Sequence, residues 1–173
     1  SMAVVEYGSG MSTFFFARNC AYHLTFESDS DPNSGGNWIS QMKSVATKLG
    51  ESINFCDDDC LAENPERLVA IMRSKGFDNI LVLIDGENRE KLVECWSNWI
   101  CQNKHEKVLL IIDNSERKVF DQYFHLLSDN KCILVHHYGN PYGQIFNKQC
   151  TSFATFHPLL LIGSNVAPSS HDK

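Results

Sequence analysis

The segment from Glu6 to Thr13 contains residue types suited to holding a ligand. Its two glycines, Gly8 and Gly10, permit a tight turn and let a ligand approach the backbone closely. If a helix begins directly after them, its free amide groups would suit a carboxylate or a phosphate. A turn that holds no ligand would use the same residues, so the two glycines alone leave both interpretations open.

A second group of residues capable of chemistry is formed by Asp85, Asp113 and Asn114. Two carboxylates and an amide oxygen are hard ligands that suit magnesium or calcium. The two acids could instead cap strand ends, contact a cofactor, or form charge-assisted pairs with Arg89 and Arg117. The sequence therefore predicts a polar cluster and leaves its occupant open.

Two adjacent histidines, His136 and His137, are candidates for a general base near neutral pH. Neighbouring side chains of a regular strand point to opposite faces, so at most one of the two can reach a given site. We take His137, together with Asp85, as the candidate catalytic residues. Tyr138 and Tyr142 are further candidates.

The pattern of apolar residues alternates between strand and helix along most of the chain. Strands are predicted over residues 3–7, 21–26, 52–56, 79–84, 107–112, 132–138 and 151–157. Helical spacing follows each of the first five strands, and no helix is predicted between the last two. This order indicates an α/β fold with a mostly parallel sheet, helices on both faces and a hairpin-like end. Ligands of such sheets bind beyond the carboxyl ends of the strands.

Composition narrows the classes of function. The 173 residues are 43% hydrophobic and 21% charged, which suits one folded domain. The formal net charge of −6 disfavours nucleic acid as a partner. No apolar run reaches the roughly 18 residues that span a bilayer, so no membrane segment is expected. The seven cysteines lack paired spacing, which favours reduced thiols and a cytoplasmic location.

Three segments carry a resemblance to a known family. The run from Val4 to Thr13 resembles the first motif of class I S-adenosylmethionine-dependent methyltransferases, in its "E-x-G-S-G-x-S-T" version. The loops at 84–89 and 112–117 resemble the "V-D-G-x-x-R" and "D-N-S-x-R" loops of that family. The resemblance implies a Rossmann-like methyltransferase fold with a seven-stranded, mostly parallel sheet and a terminal antiparallel strand. It assigns residues 1–157 to the S-adenosylmethionine-binding domain and 158–173 to a C-terminal tail.

The resemblance also implies roles in binding S-adenosylmethionine. Gly8 and Gly10 would let the backbone approach the methionine part, and Glu6 and Ser9 would lie near its amino and carboxylate groups. Glu27 would accept both ribose hydroxyls. The residues implied for the adenine amino group are Asp57 or Asp58, Asp85 is a further cofactor contact, and Trp38 is a candidate neighbour of the cofactor.

The implied reaction is O-methylation of a small-molecule substrate. Asp85, Asp113 and Asn114 are placed like the magnesium ligands of catechol and caffeoyl-coenzyme A O-methyltransferases. Those enzymes carry a Lys three residues after the first Asp, where this chain has Asn88. They also carry a covering segment before the first strand. Both differences support an alternative, a binding or scaffolding protein without turnover. A nicotinamide-dependent oxidoreductase is disfavoured because Thr13 occupies the third small-residue position of the dinucleotide motif.

Overall fold

The computed structural model describes residues 1–27, 37–86, 88–139 and 149–162. Strands within these ranges are β1 (Met2–Tyr7), β2 (Tyr22–Phe26), β3 (Phe55–Cys56), β4 (Asn79–Ile84), β5 (Val108–Ile112), β6 (Ile133–Gly139) and β7 (Gln149–Thr155). Helices are α1 (Met11–Asn19), α2 (Trp38–Leu49), α3 (Asp59–Ala62), α4 (Pro65–Ser74), α5 (Arg89–Gln102), α6 (Asp121–Asp129) and α7 (Pro158–Ile162). A 3₁₀ turn over Lys118–Phe120 leads into α6.

The strands form one seven-stranded sheet in the order β3-β2-β1-β4-β5-β7-β6. Pairs among β1 to β5 are parallel, and β7 runs antiparallel to both β5 and β6. The predicted fold class is therefore confirmed. Because β1 and β4 are neighbours, the loops that follow them meet at the carboxyl edge of the sheet.

Local sequence explains where several helices begin and end. α4 begins after Asn64, whose side-chain oxygen accepts a hydrogen bond from the Arg67 amide at 3.0 Å, and Pro65 occupies its first turn. α2 ends at Gly50, which adopts a left-handed φ of 72°. The short α3 was not predicted. β3 is shorter than the predicted 52–56 and lies at the edge of the sheet, where only one neighbour pairs with it.

The main apolar core lies between the sheet and the layer formed by α4, α5 and α6. Alternate residues of the central strands face this layer, including Val82 of β4 and Leu110 of β5, both with no exposed surface. Trp96 of α5 is the largest fully buried side chain of that layer. Burying such side chains stabilises the fold by about 1.5–3 kcal/mol each. A rigid sheet edge results, and the loops of the site begin from it.

Two further expectations concern the ends and the surroundings of the chain. α7 falls inside the predicted tail of 158–173, and the residues after Ile162 lie outside the described ranges. The division at residue 157 stays a prediction. Each helix that the structure describes is too short or too polar to cross a membrane.

Candidate functional site

A cavity of about 440 Å³ opens at the carboxyl ends of β1, β2 and β3. Its walls come from the ends of these strands and from the first turns of α3 and α5. They include Tyr7, Gly8, Phe26, Glu27, Cys56, Asp59 and Leu92. The cavity thus combines aromatic and aliphatic surface with carboxylates, a combination suited to a nucleoside-sized ligand.

Tyr7 forms a rigid part of this wall. Its ring stacks on Phe26 with centroids 5.2 Å apart, and its hydroxyl donates to the Ala62 carbonyl at 2.7 Å. The indole of Trp96 donates to the same hydroxyl at 3.0 Å. Burial raises the pKa of Tyr7 above its usual value. The side chain therefore stays neutral and acts as a fixed surface rather than as a proton donor or acceptor.

The glycine loop packs directly against the loop after β4. Gly8 has a φ of 89°, and a β-carbon on it would lie 2.6 Å from the Gly86 backbone. The Gly8 amide donates to the Phe26 carbonyl, and the Asp85 amide donates to the Tyr7 carbonyl, both at 2.9 Å. Gly8 is thus required by loop packing, a reason that differs from the predicted ligand approach.

Gly10 differs from Gly8 in its surroundings. A β-carbon built on Gly10 would meet no atom within 4 Å, so this part of the loop faces open space. α1 begins directly after it, as the sequence predicts. Gly10 is therefore the position in the loop where the structure leaves room for a ligand.

Ser9 links the loop to the end of β2. Its amide and its hydroxyl both donate to the Oε2 atom of Glu27 at 2.6 Å. The Trp38 indole, in the first turn of α2, donates to the Ser9 hydroxyl at 2.8 Å and to the Ser9 carbonyl at 3.2 Å. The structure thus brings Ser9, Glu27 and Trp38 together, as the proposed cofactor roles require.

Glu6 lies beneath the loop and is fully buried. One of its carboxylate oxygens accepts a hydrogen bond from the Ser12 hydroxyl at 2.6 Å, and the other lies 2.9 Å from His23 Nε2. The Thr25 hydroxyl also contacts His23. Glu6 therefore holds α1 onto β1 and β2, and its predicted contact with a cofactor amino group stays a prediction.

The three consecutive aspartates after β3 have different surroundings. Asp57 is exposed, and Asp58 caps α3 by accepting a hydrogen bond from the Leu61 amide at 2.9 Å. Asp59 lines the cavity, together with Cys56. The sequence analysis named Asp57 and Asp58 and missed Asp59, because the position at which α3 begins decides which carboxylate faces the cavity.

Asp85 and Asp113 meet at the ends of β4 and β5. Arg89 donates to the Asp85 carboxylate at 2.9 Å and to the Asp85 carbonyl at 2.7 Å. It also donates to the carbonyl groups of Gly86 and Asp113, at 2.8 and 3.3 Å. Arg89 thus ties the two loops together and partly balances the negative charge.

The candidate metal ligands are arranged as a hydrogen-bonded cluster. Asp113 accepts from the Thr151 hydroxyl at 2.9 Å with one oxygen and from the Asn114 amide nitrogen at 3.0 Å with the other. Within the described residues, no three His, Cys, Asp or Glu side chains gather at a spacing that could hold a metal ion. This arrangement does not present three oxygens to one ion, so no chemical step is assigned to magnesium, and its binding stays a prediction.

The loop after β5 also anchors the last strand. The Ser115 amide and hydroxyl donate to the Cys150 carbonyl at 2.7 and 2.8 Å, and the Cys150 amide donates to Glu116 at 2.9 Å. Asp113 holds Thr151 on the same strand. The "D-N-S" segment therefore has a structural role in fixing β7, which the sequence analysis did not anticipate.

The two histidines of β6 occupy different environments. His136 Nδ1 lies 2.6 Å from the buried Ser152 hydroxyl. His137 is exposed and pairs in register with Thr151, the residue that contacts Asp113. Of the two, His137 is thus on the row of residues that leads to Asp113, and its catalytic role stays a prediction. Outside the described side chains are Tyr138 and Tyr142.

The carboxyl group of Asp85 has a raised pKa of about 6. Burial is the largest cause, followed by the negative charge of Asp113, while Arg89 acts in the opposite direction. The folded protein therefore takes up a proton at Asp85 near pH 6, and the unfolded chain does so only near the ordinary pKa of about 3.9. The protonated form stabilises the fold relative to the charged one, and this contribution is lost as pH rises through about 6.

An Asp85→Asn variant should therefore be more stable than the wild type at pH 8, by about 1 kcal/mol after allowance for the partial exposure of the group. The difference should shrink as pH falls from 8 to 4.5. Urea denaturation at the two pH values measures it. Asp57→Asn, an exposed control with the same charge change, should show no such trend. Equal stability of Asp85→Asn and wild type at pH 8 would contradict the electrostatic interpretation.

No protein-family model matches the sequence, and no curated protein sequence matches it. Solved structures do match the fold. An rRNA methylase from Streptococcus thermophilus superposes with a TM-score of 0.55 at 14% identity, over 89% of this chain and 86% of that chain. A human methyltransferase 10 domain containing protein gives 0.56 at 12% identity, over 90% and 72% of the two chains.

The Entamoeba histolytica methyltransferase EhMeth is a longer neighbour. It superposes with a TM-score of 0.52 at 12% identity, over 91% of this chain and 53% of its own length, so this chain spans about half of that protein. Likeness at this identity establishes architecture and leaves substrates open. Together with the strand order and the antiparallel β7, it shows that the chain has the Rossmann-like fold of the methyltransferases.

Proposed function

We propose that this chain binds S-adenosylmethionine and is a methyltransferase that acts on oxygen of a small molecule. The observation that carries the proposal is the position of Glu27, on the wall of a nucleoside-sized cavity and bonded to the glycine loop. The cofactor, when bound, supplies an activated methyl group. The protein then has to position the acceptor, exclude water and take up a proton.

The residues of the cavity fit the parts of this cofactor. The stacked Tyr7 and Phe26 rings and Leu92 offer apolar surface to an adenine ring, and Asp59 offers a carboxylate that could accept from its amino group. Glu27 would accept from the ribose hydroxyls. Open space at Gly10 gives the amino-acid end a path along the loop.

The acceptor is proposed to lie over Asp85 and Asp113. A proton leaving an acceptor hydroxyl could pass to Asp85, which is ionised above about pH 6, or to His137. Carboxylates line both this region and the cavity, and the formal net charge is −6. Such surroundings repel a phosphate backbone, which supports a small-molecule acceptor over RNA even though one structural neighbour is an rRNA methylase.

Calorimetric titration of the chain with S-adenosylmethionine, S-adenosylhomocysteine and NAD⁺ tests the cofactor. We expect the first two to bind and NAD⁺ not to bind. Failure of both adenosyl ligands to bind at millimolar concentration would overturn the proposal, and binding of NAD⁺ alone would indicate an oxidoreductase. If the cofactor binds, release of S-adenosylhomocysteine with a panel of alcohols, phenols and catechols tests the acceptor. A product with RNA alone would contradict a small-molecule acceptor, and no product with any acceptor would favour the scaffolding alternative.

A further inference from the structure

The contacts among Trp38, Ser9 and Glu27 form a hydrogen-bond chain with one possible direction. An indole nitrogen only donates, and a carboxylate only accepts. The Ser9 hydroxyl must therefore accept from Trp38, at 2.8 Å, and donate its single proton to Glu27, at 2.6 Å. The Ser9 amide donates to the same Glu27 oxygen, at 2.6 Å. One indole thus fixes the orientation of the Ser9 hydroxyl.

Trp38 differs from the other two tryptophans in what it contacts. Trp96 is fully buried in the core, and Trp99 packs edge-on against it with ring centroids 5.9 Å apart. Trp38 is half-buried at the start of α2, outside the core cluster. Its one polar atom contacts both the carbonyl and the hydroxyl of Ser9. Loss of the Trp38 indole nitrogen would therefore free the glycine loop and leave the apolar core intact.

We propose that Trp38 is a positioning residue of the cofactor site, which holds the glycine loop in the shape that receives the amino-acid end of S-adenosylmethionine. The inference rests on the proposed function. Ser9 precedes Gly10, where the loop faces open space, and Trp38 fixes Ser9 from the side of α2. A loop held before the ligand arrives avoids the entropic cost of ordering it on binding. The effect of Trp38 is therefore expected on ligands that reach this loop.

This reasoning predicts a difference between two ligands. S-adenosylhomocysteine carries the amino-acid end, and 5′-methylthioadenosine has the same nucleoside without it. Both can use the cavity formed by Tyr7, Phe26 and Glu27. Trp38 should matter for the first ligand and have little influence on the second, whereas a general loss of structure would weaken both.

Calorimetry on Trp38→Phe with these two ligands is the test. We expect the Kd of S-adenosylhomocysteine to rise about tenfold, as for the loss of one hydrogen bond in a site, and that of 5′-methylthioadenosine to change less than about twofold. Trp99→Phe, a matched change in the core layer, should leave both values unchanged. Equal weakening of both ligands, or no weakening of either, would overturn the positioning role.

A second variant keeps the test valid if Trp38→Phe folds poorly. Ser9→Ala removes the hydroxyl that Trp38 orients while leaving the Ser9 amide, and it should show the same preference for weakening S-adenosylhomocysteine. Wild-type protein that binds neither ligand would refute the proposed function itself. Wild-type protein that binds both, with variants that bind both equally well, would refute the role of Trp38 alone.

Discussion

A Gly8→Ala variant is expected to lose about 3 kcal/mol or more of its free energy of unfolding. The new side chain would have to adopt the φ of 89°, which costs about 1 kcal/mol for a non-glycine residue. Its β-carbon would also lie 2.6 Å from two backbone atoms of Gly86, so one loop must move, at about 1–3 kcal/mol. Because domains are stable by only about 5–15 kcal/mol, this is a large fraction of the total.

Two control variants separate the causes. Gly50→Ala has a similar φ of 72° with no atom within 4 Å of the new β-carbon, so it should lose only about 1 kcal/mol. Gly86→Ala should show the cost of contact, because its β-carbon would lie 2.8 Å from the Gly8 nitrogen. Urea denaturation of the three variants measures the differences. A Gly8→Ala variant no less stable than Gly50→Ala would show that the two loops do not pack as described.

A Glu27→Ala variant is expected to bind S-adenosylhomocysteine about 5- to 150-fold more weakly, which corresponds to about 1–3 kcal/mol. Two effects combine in it. The proposed acceptor of the ribose hydroxyls is removed, and the Ser9 amide and hydroxyl lose the oxygen they share. Both groups lie at the cavity, so affinity should change far more than the stability of the fold.

The matched control is Glu66→Ala, which removes an exposed carboxylate from the first turn of α4, away from the cavity. Its affinity for S-adenosylhomocysteine should equal that of the wild type. Glu27→Gln, which keeps the shape and one acceptor oxygen, should fall between the wild type and Glu27→Ala. Calorimetry measures all three, and unchanged affinity in Glu27→Ala would reject the ribose assignment.

Much of the fold was predictable because strong local patterns coincide with the observed elements. The aliphatic run over Asn79–Ile84 was predicted as a central strand, and the sheet covers it with neighbours on both sides. Asn64 and Pro65 marked the start of α4 correctly. The errors fell on short elements: β3 has two residues at an edge, and α3 has four. Such short segments carry too few apolar residues to define a period.

The site was less predictable, because its geometry depends on contacts between distant parts of the chain. The sequence identified Gly8 as a turn residue and could not show that Gly86 lies against it. It placed Asp113 at a strand end and could not show that Thr151 would bind it, since that contact requires β7 to lie beside β5. Asp59 was missed because its orientation depends on where α3 begins.

The position of β7 has a consequence for how the chain folds as it is synthesised. β7 lies between β5 and β6, although it follows β6 in the chain. Among the described strands, β6 pairs with β7 alone, so it leaves the ribosome without a partner until the chain has grown through Thr155. During that interval β5 and β6 both present open edges, which are prone to pair with other chains. The last strand to emerge is the one that completes the sheet, and a nascent chain stalled before it would be exposed to aggregation.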